Sequence, residues 1–130
     1  MSLEVTALYA ALLALVGLVL TGLVGRARSR TTISLGDGGD PRLIEAMRRH
    51  ANWVETVPIA LILIAIAEIN GAPDAWIHGL GGVLLAARLI HPFGINATDM
   101  RTIPRFVGML GTMLAEVAAI GLVLWQVVMG

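Results

Sequence analysis

Residues 47–58, MRRHANWVETVP, place two arginines, a histidine, an asparagine and a glutamate directly before the apolar run IALILIAIA. On a helix, Glu45, Arg48, Asn52 and Glu55 fall within about 80° of one another, and Ile59 and Ile62 continue the stripe. His50 points to the other side, about 200° from Arg48. Glu55 stands about two turns beyond Arg48, roughly 10 Å along the axis, where a lone carboxylate in apolar surroundings is costly unless paired. Farther along the chain Arg88, His91 and Ile95 share one helical face, with Arg88 at a similar depth, roughly 10 Å in from the same end. Glu55 and Arg88 are therefore expected to pair across two helices, an arrangement that either serves a ligand or only fastens the helices together. Arg48, Asn52, Arg101 and Arg105 are then left facing a basic rim. Guanidinium groups bind carboxylates and phosphates bidentately, and a glutamate beside them can hold an ammonium, so a small zwitterion with an excess of carboxylate fits this inventory.

The elements that must carry these residues follow from the hydropathy pattern. Apolar residues make up 57% of the chain and charged ones 14%, with a mean hydropathy of +0.83, which excludes an ordinary water-soluble domain. Four spans are expected, at about residues 5–24, 41–69, 75–95 and 104–128, forming one all-α integral membrane domain over residues 1–130. The first is a nearly uncharged run from Val5 to Val24, and the acid in MSLEVTALYA argues against a cleaved leader. Asp40-Pro41 is a strong helix start, since aspartate caps a free amide and proline fits the first turn. The second helix is roughly 43 Å long by helical rise, so its polar half should project from the membrane. Gly79, Gly81, Gly82, Ala86 and Ala87 should let neighbours approach the third helix closely, and Pro92 should kink or end it.

All nine basic residues are arginines, balanced by nine acids. Eight of the arginines lie in or beside the first and third loops, and by the positive-inside rule loops 25–40 and 96–103 face the cytoplasm of a bacterial inner membrane. A formal net charge of zero offers no basic face for nucleic acid. The absence of cysteine excludes disulfides and a protein thiol nucleophile, so any thiol chemistry must use a ligand's sulfur. The three histidines share no face with carboxylates at ligand spacing, which predicts no metal. Glu116, deep in the fourth span, reads as structural, and Glu68 as solvated near the far interface. His78 and Trp53, Trp76 and Trp125 read as interfacial anchors.

RRHANWVETVP resembles the second-helix signature of the MAPEG family, membrane-associated proteins in eicosanoid and glutathione metabolism, in which arginine is followed by asparagine four residues on, glutamate three later and proline three beyond. Here these are Arg48, Asn52, Glu55 and Pro58. AARLIHPFGI is similar to the family's third-helix segment. The resemblance implies a four-helix bundle assembling as a homotrimer, with glutathione between neighbouring subunits near the cytoplasmic face. It further implies that Arg48 and Asn52 contact the tripeptide and that Glu55 binds or positions it, and His50, at a position that also carries histidine or glutamine in some relatives, is counted with the binding residues. Arg88 and His91 would belong to the same site. The family's thiolate-stabilising arginine stands near the start of the fourth helix, where Arg101 and Arg105 are both eligible. Arg105, in the first helical turn, gains the potential of the free amides there, which favours it as the thiolate stabiliser and Arg101 as a binding contact. The tyrosines that the eukaryotic enzymes carry on the third helix correspond to His91 and Ile95, so binding transfers more readily than catalysis.

Three functions compete on this reading. The first is a glutathione transferase or peroxidase acting on lipophilic electrophiles that arrive from the membrane lipid. The second is a non-catalytic member that binds lipid or a partner protein. The third is a small multidrug exporter, which is disfavoured because such proteins need a carboxylate inside the first span and residues 5–24 contain none.

Overall fold

A computed structural model describes residues 2–130. Four helices, α1 (Glu4–Thr31), α2 (Pro41–Ile69), α3 (Asp74–Ile90) and α4 (Ile103–Met129), follow one another, with a short 3-10 segment, His91–Gly94, closing α3. The four run up and down as a bundle, with α1 packed chiefly on α2 and α3 chiefly on α4. Leu13, Val57, Ala60, Ile64, Ile77, Leu84, Ala115 and Ala119 form the core between them. The lipid-facing sides are covered with exposed leucine, valine and isoleucine, as expected of a bundle whose solvent is hydrocarbon.

Helix α2 matches the sequence expectation at both ends. Asp40 accepts from the amides of Arg42 and Leu43 at 2.9 and 3.2 Å, ahead of Pro41 in the first turn. Helix α1, in contrast, continues seven residues past Val24 to Thr31, which shortens the expected loop 25–40 to residues 32–40. The polar run RARSR holds good helix formers and no breaker, so the helix leaves the apolar layer intact and ends only where Thr32 turns left-handed at φ 58°.

The third span also differs from expectation. Its α-helix stops at Ile90 instead of residue 95, because Pro92 cannot donate and the chain tightens into the 3-10 turn. By length and composition α1, α2 and α4 can each cross a membrane, and α3 falls short of that length by itself. With the 3-10 segment it reaches roughly 33 Å, enough to match the hydrocarbon layer.

Of the third span's small residues, Gly81 and Ala87 make the close helix contacts expected of them, while a Cβ on Gly79 would meet nothing within 4 Å. Tyr9 of α1 lies directly on Gly81. A Cβ on Gly108 would stand 2.5 Å from the His91 Cβ and 2.9 Å from the Ala87 carbonyl oxygen, so α4 can approach α3 here only with hydrogen at that position.

Two side chains read as interfacial are structural instead. The Trp53 indole packs over Gly17 in the groove between α2 and α1, and Glu68 is 8% exposed. The Glu68 carboxylate accepts from the amides of Val5 and Thr6 at 3.0 and 2.8 Å, so α2 caps the start of α1. Glu68→Ala should therefore lower stability by about 1 kcal/mol, the usual loss of a cap. Unfolding in mixed detergent micelles would measure this, and amide exchange at Val5 and Thr6 should quicken in the variant.

Candidate functional site

The stretch that opens α2 does form one side of a cleft. Ile44, Glu45, Arg48 and Asn52 of α2, residues 95–97 after the 3-10 turn, and Arg105 of α4 enclose about 70 Å³ at the arginine-rich end of the bundle. The backbone beside it is held by α2. Arg49 donates from Nε to the Pro92 carbonyl at 2.9 Å and from Nη2 to the Ile95 carbonyl at 2.8 Å. Glu45 accepts from the Ala97 amide at 2.9 Å and stands 3.7 Å from Arg49. Beyond it, Asn96 Oδ1 gathers the amides of Thr98 and Asp99 into a tight turn. Thr102 donates its hydroxyl to the Gly94 carbonyl and does not cap α4 with its side chain. The first turn of α4, carrying Arg105, is thereby pressed against Gly94, where any Cβ would overlap the Arg105 amide.

Behind the cleft lies Arg88, 2% exposed. Its Nη1 donates to Asn52 Oδ1 at 2.6 Å and to Thr56 Oγ1 at 3.3 Å, and its Nη2 to the Gly108 carbonyl at 3.2 Å. The expected Glu55–Arg88 pair does not form. Asn52 and Thr56, four residues apart, share the face of α2 that looks toward α3, and Glu55 is turned about 100° away from Thr56. Glu55 pairs instead with Arg48 at 3.7 Å, about two turns back along its own helix, and both side chains are more than half exposed. Asn52 is accordingly not a free group of the rim in the way its stripe position suggested. With its oxygen held by Arg88, its amide nitrogen is what remains to meet a ligand.

The other sequence candidates lie outside the cleft. His91 is 2% exposed, packed against Gly108, and its Nε2 has no partner among the described residues. His50 lines another side of α2, half-buried, and makes no hydrogen bond or ion pair among the described residues. Arg101 lies with Met100, Ile103, Phe106 and Met109 along a shallower groove that Arg105 also borders. Arg105 thus stands between a polar cleft on one side and an apolar groove on the other. Glu116 is half-buried in mid-helix and unpaired among the described residues. No group of three or more histidine or acidic residues placed to hold a metal occurs among the described residues.

Arg49 and Asn96 shape the cleft, yet neither stands out in the sequence. Arg49 had one visible signal, Glu45 four residues earlier, and its decisive bonds go to backbone carbonyls that no side-chain pattern announces. Asn96 had another, since asparagine followed by threonine and aspartate favours a side-chain-to-backbone turn.

Chemically, the cleft presents two guanidinium groups, one amide donor and a carboxylate already bound to an amide and an arginine. Such a set accepts an anion. Comparison with known proteins agrees with the motif in α2. Inner membrane protein YecN of Escherichia coli strain K12 is 44% identical over 92 residues, covering 71% of this chain and 70% of that protein. YecN of the O6:H1 strain CFT073 matches to the same extent. The sequence model of the MAPEG family aligns with residues 6–125, nearly the whole bundle, and the chain belongs to that family of helical membrane proteins.

Proposed function

We propose that this protein binds glutathione in the Arg48–Asn52–Arg105 cleft and uses its thiolate against lipophilic electrophiles from the bilayer, as a transferase or peroxidase of a bacterial inner membrane. The observation that carries the reading is the convergence of those three side chains, from two helices, on one anion-accepting cleft beside an apolar groove. Arg48 and the Asn52 amide nitrogen hold carboxylates of the tripeptide. Arg105, at the first turn of α4, adds its charge to that of the helix amides and favours thiolate over thiol. The thiolate sulfur then bonds to the electrophilic carbon as the leaving group departs. The groove of Met100, Phe106 and Met109 offers the electrophile a route from the lipid to the same arginine.

The cleft in one chain is too small for a tripeptide, since small-ligand pockets run to roughly 300 Å³ or more. Arg48 and Glu55 also stand on an outward face, and half-buried Glu116 lies in mid-span. Such groups are costly against lipid, which supports a homotrimer in which a neighbouring subunit covers this face and completes the pocket. Loops 32–40 and 96–102 then face the cytoplasm, by the arginine asymmetry.

A second reading, glutathione binding without activation, is favoured by one observation. Ile95, which lines the cleft, and the enclosed His91 stand where the eukaryotic enzymes carry tyrosines, so no phenol reaches the sulfur.

Isothermal titration in detergent should show glutathione binding that Arg48→Ala weakens by about 1.5–3 kcal/mol, the loss of a charge-assisted bond. His50→Ala should change it far less, and equal effects would contradict the stripe geometry. Ultraviolet absorbance of the bound thiolate, followed against pH, tests activation. Arg105→Ala should raise the apparent thiol pKa while Arg101→Ala leaves it near the native value. If neither substitution moves the titration, the non-catalytic reading stands. Crosslinking in native membranes should reach trimers, and products that stop at dimers would oppose the shared pocket.

A further inference from the structure

We propose a second anion site on this protein, distinct from the glutathione cleft: a seat for the phosphate headgroup of an anionic phospholipid between the end of α1 and the start of α2. A cleft of about 300 Å³ opens there. Two facing helical stripes build it, Arg26 and Arg30 with Ala27 on α1, and Arg42 and Arg49 with Ala46 on α2. The alanines keep the floor shallow, so the arginines stand around a hollow. The guanidinium groups of Arg26, Arg30 and Arg42 make no hydrogen bond or ion pair with any described residue. Arg28, the remaining arginine of α1, is turned away and donates to the carbonyls of Ile33 and Gly36, each at 3.0 Å.

The two carboxylates at the cleft are engaged elsewhere. Asp40 Oδ1 caps α2 through the Arg42 and Leu43 amides. Glu45 is held by the Ala97 amide and Arg49, and it forms the partition between this cleft and the glutathione cleft, lining both. Three guanidinium groups without an ion pair among the described residues therefore surround a space into which a phosphate fits.

Depth selects a lipid over a free anion. The apolar run of α1 ends at Val24, so Arg26 lies where hydrocarbon gives way to headgroups. Immediately below, Leu12, Val19 and Leu23 continue the stripe of Arg26 and Arg30 and are 36%, 62% and 39% exposed. An acyl chain lying on this stripe brings its phosphate to the arginines. A zwitterionic headgroup would add a cation next to three that are already unpaired, so the site prefers phosphatidylglycerol to phosphatidylcholine.

Native mass spectrometry of the purified full-length protein tests this, with phosphatidylglycerol, phosphatidylcholine, inorganic phosphate and glutathione as separate additions. Phosphatidylglycerol should remain bound where phosphatidylcholine is lost. Arg30→Gln with Arg42→Gln should weaken its binding roughly tenfold to thirtyfold, following the usual contribution of a surface cation to anionic-lipid binding, and the double lysine variant should retain most of it. Both side chains are exposed and unbonded, so folding is spared. Arg48→Ala should leave lipid binding intact, and the double glutamine variant should leave glutathione titration intact, which separates failure of this site from failure of the glutathione reading. Equal retention of the two lipids, an unaffected double variant, or displacement of the lipid by millimolar phosphate or glutathione would each overturn the proposal.

Discussion

A guanidinium buried inside an apolar bundle has to find acceptors, and Arg88 finds them on two other helices. Asn52 and Thr56 of α2 and the Gly108 carbonyl of α4 surround it, all neutral groups within hydrogen-bond distance. Removing any one would leave part of a buried charge unsatisfied, a loss far larger than the worth of a surface contact. The bond also fixes Asn52, oxygen inward and nitrogen toward the cleft. The same arrangement demands glycine at 108, since only there can α4 bring its backbone within reach of Arg88 while α3 presses His91 and Ala87 against it. Helix packing and cleft chemistry are thus set by one interaction.

From that anchor the rest of the arginine-rich end is positioned in sequence. Arg88 sets the level of α2 against α3 and α4, and one turn nearer the rim Arg49 holds the segment that leaves α3. That segment in turn meets α4 through Thr102 and Gly94, which fixes Arg105 beside the loop. Apart from the Arg88 bonds to the Asn52 and Thr56 side chains, each link sets a charged or polar side chain on a backbone group, and such bonds define geometry more tightly than apolar packing.

These links also explain which features the sequence made legible. Hydropathy and end signals located α2 to the residue, because Asp40, Pro41 and the turn at Gly71 act locally. Helix α1 was cut short because its arginine run changes polarity without changing helical propensity. The polar stripe on α2 does carry Arg48 and Asn52 to one cleft, and His50 lies apart from it. It failed for Glu55 and Arg88, since a helical wheel ranks charge partners by sign and depth. The structure satisfies the cation instead with an amide and a hydroxyl whose direction on α2 suits α3 better. Glu68 was misread for a related reason: its partners are backbone amides, invisible to any reading of side-chain types.

A chain of zero net charge can nevertheless present an anion-accepting rim, because its acids and bases do different work. Glu68 holds the start of α1, and Asp40 caps α2. Asp37 and Asp99 accept from nearby amides in their loops, and Glu45 holds the Ala97 amide. Five of the nine acids are thus directed at backbone amides. The guanidinium groups of Arg26, Arg30, Arg42, Arg101 and Arg105 are left without a bond among the described residues. None of these carboxylates forms an ion pair with those five arginines among the described residues, so their guanidinium donors remain open to an anion. The arginines lie at one end because topology puts the end of α1, the start of α2 and the start of α4 on the same side of the membrane, and an anion arriving there would meet the donors that the acids leave free.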